Sequence, residues 1–338
     1  MKLLRILLFP VVPIYYMVSW LRNKMYDKGW LSSKSYELPI ISVGNLSTGG
    51  TGKSPTIEYL IRLLHNDYKV ATLSRGYKRE SQGFQLANVE STAKTIGDEP
   101  FQFFQKFKDI NVAVDADRQN GIATLVSQEQ PEVILLDDAF QHRKVKPGFS
   151  ILLTSYDKLY SKDIVLPTGN LREPRSGAQR ADCIIVTKCP VGLSNKDKAN
   201  ILSELNPNPQ QQVFFSSINY SEKIFSAGDE ISLDQLKSQV FTLVTGIANP
   251  QPLLDFLGEK ELEFEHLAFG DHHKFTEAEV KMFKEKSVIL TTEKDYMRLQ
   301  DHFSPNDITK LYYLPISFQI DDQDQFDTII NAYIKASL

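Results

Sequence analysis

Residues 40–54 read IISVGNLSTGGTGKS, and the fold class follows from how this stretch is parsed. The apolar run Pro39-Ile40-Ile41-Ser42-Val43 has the character of a buried strand, and residues 55–64, PTIEYLIRLL, have apolar spacing that suits a helix. A glycine-rich turn ending in Lys53-Ser54 lies between them. Strand, glycine loop and Lys-Ser at a helix start make a phosphate-binding loop. Glycines let successive backbone N–H groups turn toward one anion, and the helix N-terminus adds its partial positive charge. Thr48, Gly49, Gly50, Thr51 and Gly52 form the cradle; Lys53 reaches the outer phosphates and the Ser54 hydroxyl sits on Mg²⁺. One position departs from G-x-x-x-x-G-K-[ST]: Ser47 stands where the first glycine belongs.

The phosphate loop sits in a chain of 338 residues, enough for one large domain or two ordinary ones, with 42% hydrophobic and 24% charged residues, an ordinary globular composition. A net charge of −4 gives no reason to expect nucleic acid as partner. Two cysteines, Cys183 and Cys189, are too few for a disulfide framework, which fits a reducing compartment, and they lack the ligand set of a zinc site.

The N-terminus is the compositional anomaly. Residues 1–20, MKLLRILLFPVVPIYYMVSW, are mostly apolar, and through Leu31 five basic residues against one acidic residue give +4, leaving −8 for the remainder. No small-residue cleavage site follows, and Pro10 and Pro13 interrupt a run that is short for a membrane span. An interfacial anchor fits best, apolar side chains entering the membrane surface and basic ones meeting anionic headgroups. A helix buried against the domain is the alternative.

Downstream, residues 69–74 form a second strand ending in the basic turn Arg75-Gly76-Tyr77-Lys78-Arg79, where open α/β sheets bind ligands. Asp98 precedes an aromatic helix, with Pro100 in its first turn, and is expected either as the N-cap or as a site residue. Residues 111–114 form another strand, closed by Asp115-Ala116-Asp117-Arg118, and a helix follows over 119–130. The stretch 131–138, PEVILLDD, has the form of a Walker B strand whose Asp137 or Asp138 can hold Mg²⁺ beside Ser54. Strands over 149–154 and 182–188 complete a strand–helix alternation, hence a mostly parallel sheet with helices on both faces: an α/β, P-loop NTPase-like fold.

A breaker cluster, Asn206-Pro207-Asn208-Pro209, marks a change. Residues 213–218 and 311–318 read as strands that pair as a linker to a second, smaller α/β unit. That unit contains a strand over 240–244, Gly270-Asp271-His272-His273 and a strand ending in Thr292-Glu293-Lys294-Asp295. The expected organisation is a membrane-associated helical segment over 1–31, a nucleotide-binding kinase domain over 32–212, linker strands and the smaller domain over 213–320, and a C-terminal helix over 321–338.

A guanine-reading Asn-Lys-x-Asp is missing at Thr187-Lys188-Cys189-Pro190, and no Asp-x-x-Gly follows Asp138, so ATP is the expected nucleotide. A kinase needs a base at the acceptor hydroxyl, metal on the phosphates and cations on the transferred group. Asp98 or His272 are candidates for the base, Ser54 with Asp137 and Asp138 for the metal, and Lys53, Arg75, Arg118 and Arg172 for the cations.

The ordered blocks Gly49 to Pro55, Ser74-Arg75-Gly76-Tyr77, Gly97-Asp98-Glu99-Pro100 and Asp137-Asp138-Ala139-Phe140-Gln141-His142 resemble those of the tetraacyldisaccharide 4′-kinases of lipid A biosynthesis. So do Gly169 to Pro174, Thr245-Gly246-Ile247-Ala248-Asn249-Pro250, Asp271-His272-His273 and Thr292-Glu293-Lys294-Asp295. The resemblance runs to about Leu299 and implies transfer of the ATP γ-phosphate to the 4′-hydroxyl of a tetraacylated disaccharide 1-phosphate at the cytoplasmic face of the inner membrane. It implies ATP and Mg²⁺ as cofactors, the lipid A disaccharide precursor and a membrane surface as partners, and neither nucleic acid nor a protein partner. By resemblance Asp98 matches the catalytic aspartate, paired with a histidine of the second domain, His272 or else His273. Gln141 and Glu173 fall in motifs that line the nucleotide–metal site. Two positions depart from the family pattern, Ser54 for Thr and Ala139 for Gly. The rival reading is a membrane-peripheral P-loop ATPase that regulates a protein partner.

Overall fold

The computed structural model describes residues 5, 7–227, 229–271 and 273–338. The chain runs through β1 (Ile40–Asn45), β2 (Val70–Ser74), β3 (Gln85–Leu86), β4 (Asn111–Val114), β5 (Val133–Asp137), β6 (Phe149–Ser155), β7 (Cys183–Thr187) and β8 (Gln212–Tyr220). It continues through β9 (Lys223–Ser226), β10 (Asp229–Ser232), β11 (Phe241–Thr245), β12 (Phe264–Ala268), β13 (Ile289–Thr292), β14 (Leu311–Leu314) and β15 (Ile316–Ile320). Among the described residues these form a nine-stranded sheet, order β15-β8-β7-β6-β1-β5-β2-β4-β3, and a six-stranded sheet, order β10-β9-β14-β13-β11-β12.

β1 lies between β5 and β6 and is parallel to both. All six of its residues are buried, as are all five of β5, because helices cover both faces. Alternation divides the strands between two cores. Ile41, Val43, Val133 and Leu135 face the helices Lys53–Leu64 and Gln323–Ser337. Ile40, Ile134 and Leu136 face the helix Arg118–Gln128 through Ile122 and Leu125. Phosphate loop and Walker B strand therefore end side by side at the C-terminal edge of the sheet, where ligands bind in open α/β folds.

The segment 311–318 is not one linker strand. Pro315 divides it: β14 pairs with β13 in the smaller sheet and β15 pairs antiparallel with β8 in the larger. β8 in turn continues the larger sheet, parallel to β7. Proline removes the N–H that a continuous strand would need at this point.

Asp98 is not an N-cap. It is the first residue of the helix Asp98–Lys106; Gly97, at φ +97°, is the capping position and supplies no side-chain bond. Pro100 stands in the first turn.

The N-terminal helix Val12–Asp27 follows a 3₁₀ turn at Phe9–Val11; Asn23 is its one fully buried residue, and Val12 and Tyr15 pack, half-buried, against the core around Leu46 and Leu171. Tyr15 donates to the Arg172 carbonyl at 2.8 Å and Asp27 pairs with Arg143 at 2.9 Å. Leu7, Phe9, Ile14, Met17 and Val18 are each more than half exposed. No helix among the described residues is long and apolar enough to cross a membrane.

The C-terminal helix is fixed by Phe326, 1% exposed, whose ring meets Tyr59 at 5.8 Å and Phe214 at 5.3 Å, both edge-on. Phe326→Ala should lower unfolding stability by about 3–5 kcal/mol, the usual cost of emptying such a site. Urea unfolding measures this; a loss well below ~1 kcal/mol would show that the helix does not depend on this ring.

Candidate active site

The loop that follows β1 is braced from several directions. Asn45 Nδ2 donates to Thr51 Oγ1 at 2.7 Å, Thr187 Oγ1 to the Thr51 carbonyl at 2.9 Å, and Lys188 Nζ to the Gly50 carbonyl at 2.6 Å. Thr48 N donates to the Asn170 carbonyl at 2.8 Å, beside an antiparallel bridge between Ser47 and Leu171. That bridge accounts for Ser47, which does not take a left-handed conformation and so needs no glycine. Gly49 and Gly52 do take one, at φ +109° and +87°. Gly52 also caps the helix Lys53–Leu64 without offering a side-chain acceptor, so first-turn N–H groups remain for an anion.

Two adjacent carboxylates end β5 in opposite states. Asp138, at φ +47°, lies 3.8 Å from Lys53 Nζ and takes Arg172 Nη1 on both oxygens at 2.9 and 3.1 Å. Burial alone would raise its pKa, but Lys53 and Arg172 hold it below the usual carboxylate range. Asp137 is 5% exposed and receives Ser74 Oγ on Oδ2 at a long 3.3 Å, while Oδ1 is buried without a partner. Burial, with the charges of Glu99 and Asp138, pushes its pKa up to about 7.

Arg118 lies beneath these strand ends. It is 2% exposed, donates to the Asp115 carbonyl and, at 3.3 Å, to the Asp137 carbonyl, and burial lowers its pKa to about 10. Gln141 Nε2 donates to the Asn45 carbonyl and to Glu173 Oε1, both at 2.9 Å, and its Oε1 accepts from Arg172 at 3.4 Å. Glu173, 3% exposed, also takes Asn23 Nδ2 at 2.6 Å and Arg180 Nη2 at 2.9 Å. Three side chains thus already occupy its two oxygens, and through Asn23 it ties the N-terminal helix to the phosphate-loop strand. Among the described residues no group of three or more His, Cys, Asp or Glu converges as a metal cage. The unpartnered Asp137 Oδ1 suits Mg²⁺, which is usually bound by one or two carboxylates together with substrate phosphates.

A cleft of about 890 Å³ runs from the phosphate loop to the smaller sheet. Gly50 to Pro55, Tyr59 and Glu99 form one wall; Tyr220, Ile247, Asn249 and Tyr313 form the other. Asp98, next to Glu99, receives Arg298 Nε from the smaller sheet's helix Glu293–Leu299 at 2.9 Å. His273 is held within the smaller unit by Glu279 at 3.0 Å and stacks on Phe269 at 4.8 Å. His272 lies outside the described residues.

Known proteins with this arrangement identify the lineage. The sequence profile of the tetraacyldisaccharide-1-P 4′-kinases (LpxK) matches residues 4–335. The chain belongs to this family of ATP-dependent kinases. The tetraacyldisaccharide 4′-kinase of Flavobacterium johnsoniae is 53% identical over 100% of this chain and 99% of its own, and that of Phocaeicola vulgatus 45% over 97% and 94%. The crystal structure of an LpxK from Aquifex aeolicus in complex with ATP superposes with TM-score 0.80 and 30% identity, covering 98% of this chain and 99% of that one.

Within this kinase the sequence pattern finds the phosphate loop, Asp137, Asp138 and Arg172 at one sheet edge. It misses Thr187 and Lys188, whose brace on the loop requires β7 to lie beside it, and Arg298, whose one local sign is its i,i+3 spacing from Asp295.

Asp137 gives a pH prediction for the metal-free protein. Its folded pKa, about 7, stands above the ~4 of an unfolded aspartate, so between those values the native state holds a proton that the unfolded chain lacks. The stability this contributes is whole below pH ~4 and lost as pH rises through about 7. Asp137→Asn carries no such proton and should gain stability relative to the parent between about pH 5 and 7.5, read by urea unfolding. Equal pH slopes in the two proteins would refute the assignment.

Proposed function

We propose that this kinase transfers the γ-phosphate of ATP to the 4′-hydroxyl of tetraacyldisaccharide 1-phosphate in lipid A biosynthesis, working at the cytoplasmic surface of the inner membrane. The observation that carries the reading is the placement of Asp98. It starts a helix without capping it and stands where the phosphate-loop cleft meets the smaller sheet.

Lys53 and the N–H groups of the loop bind the phosphates, and the braces from Asn45, Thr187 and Lys188 keep the cradle shaped before ATP arrives. Arg172 stands beside Asp138 and Lys53 at the same edge, adding positive charge toward the transferred group. Ser54 and Asp137 are the residues to hold Mg²⁺, with Asp138 behind them. When bound, the ion supplies charge neutralisation on the phosphate oxygens. Glu173 and Gln141 act by bracing this edge. Asp98 accepts the proton of the acceptor hydroxyl as its oxygen bonds to the γ-phosphorus. The bond from that phosphorus to the bridging oxygen breaks, and ADP leaves with the electron pair. His272 is the proposed partner of Asp98.

The acceptor carries four acyl chains, and the exposed apolar face at Leu7, Phe9, Ile14, Met17 and Val18 suits an interfacial position among such chains. Arg22, Lys24 and Lys28 add charge suited to anionic headgroups.

Purified protein with γ-labelled ATP, Mg²⁺ and disaccharide lipid in detergent should yield labelled lipid; none, with folded protein, would end the proposal. Asp98→Ala should lower turnover about 10²–10⁴-fold while ATP affinity changes little. A triple change, Leu7→Ser, Ile14→Ser and Val18→Ser, should reduce sedimentation with anionic vesicles; unchanged partitioning would remove the interfacial role.

A further inference from the structure

The block Thr292-Glu293-Lys294-Asp295 lines the far side of the phosphate-loop cleft through its first three residues, and its fourth is turned into a fully built polar cluster. Thr292 caps the helix Glu293–Leu299: its Oγ1 accepts from Asp295 N at 3.2 Å and donates to Asp295 Oδ2 at 2.7 Å. Gly246, just beyond β11, donates its N–H to the same Oδ2 at 2.8 Å. A Cβ on Gly246 would lie 2.8 Å from Asp295 Oδ1, so any side chain there would displace the carboxylate. Asp295 is 0% exposed, and its Oδ1 takes Arg298 Nη1 at 2.9 Å. The same guanidinium puts Nε on Asp98 Oδ2 at 2.9 Å.

We propose that Arg298 is a positioning residue for Asp98, itself set by Asp295, and that it aims the Asp98 carboxylate at the acceptor hydroxyl only while the two sheets are apposed. This rests on Asp98 being the base. Packing alone does not call for the arrangement. Asp295, fully buried and 2.9 Å away, already neutralises Arg298, so the guanidinium does not need Asp98 to satisfy its charge. The contact with Asp98 has a chemical use. A guanidinium unopposed beside a base would fix its position but weaken its affinity for a proton. With Asp295 opposing the charge of Arg298 from the other side, Asp98 is oriented by a hydrogen bond while much of that field is cancelled.

Delivery of Arg298 follows from how two helices meet. Lys106 pairs with Glu293 at 2.7 Å, Glu99 with Lys294 at 3.0 Å and Asp98 with Arg298 at 2.9 Å. The helices Asp98–Lys106 and Glu293–Leu299 thus run antiparallel with opposite charges in register, and one register brings all three pairs together.

A double-mutant cycle tests the proposal, with turnover measured as phosphate transfer from ATP to the disaccharide lipid. Arg298→Gln should lower kcat about 10–100-fold with the KM for ATP within about twofold of the parent. On an Asp98→Asn background the same change should cost nothing further, because a residue that acts through Asp98 has nothing left to position. Arg298→Lys should recover part of the loss and carries the cycle if Arg298→Gln fails to fold, as judged by its thermal midpoint. An equal loss on both backgrounds, or a loss confined to the KM for ATP, would overturn the role of Arg298 and leave Asp98 as base. Full turnover by Asp98→Asn alone would instead overturn the base, and this proposal with it.

Discussion

Two carboxylates on consecutive residues at the end of a buried strand cannot both be charged cheaply, and the site is arranged around that constraint. Asp138 takes the cations: Lys53 from the phosphate-loop helix and Arg172 from the loop preceding β7. Asp137 is left with one long hydrogen bond and one oxygen that has none. Such a group is costly while it stays empty and ionised, and it becomes favourable when a cation and its phosphates arrive. Arg118 offsets part of the cost from beneath, at the expense of its own desolvation. The phosphate loop, the Walker B strand and the Arg172 loop are thus coupled through charge balance as well as through the backbone.

The sequence is most informative where a requirement is local. Glycines at left-handed positions, a Lys-Ser at a helix start and an apolar strand ending in acid are each satisfied within a few residues, and all lie where their pattern places them. Ser47 reads as a defect only until it is set against Leu171, its partner across the edge of the site. The failures are of another kind. Asp98 has the chemistry of an N-cap, but the chain turns one residue earlier, at Gly97, and the cap position passes to a residue with no side chain. Residues 311–318 have one uniform apolar character, and only the competition between two sheets for their hydrogen bonds splits them at Pro315. β9, β10 and β12 escape notice because they lie at the two edges of the smaller sheet, β10 and β9 at one and β12 at the other, half-covered and irregular in pattern. Arg298 could not have been assigned to Asp98, since 200 residues separate them.

Charge also organises the meeting of the two sheets. Lys106 bridges Glu58 and Glu293 at 2.7 Å each, and Gln102 donates to Glu58 at 2.9 Å. Burial raises the pKa of Glu58, although Lys106 opposes the shift. These contacts join the phosphate-loop helix, the Asp98 helix and the smaller sheet in one polar layer beside the cleft. Beside this layer the boundary is apolar: Ile96, Phe101 and Val114 of the larger unit share one buried cluster with Val244, Phe283, Met297 and Leu299 of the smaller.

Pro315 has a mechanical consequence. The chain crosses between the sheets at Ser221-Glu222 and again at Pro315, and Ser221 N donates to the Pro315 carbonyl at 3.0 Å. Any rotation of one sheet against the other would turn about an axis through these two crossings, and would have to part Ile96, Phe101 and Val114 from Phe283 and Met297. Displacement about such an axis grows with distance from it, so residues beside the crossings move least and those far out on the lever arm sweep the widest arc. A change of angle between the sheets would therefore be felt at the contact between Arg298 and Asp98, 200 residues apart in the chain.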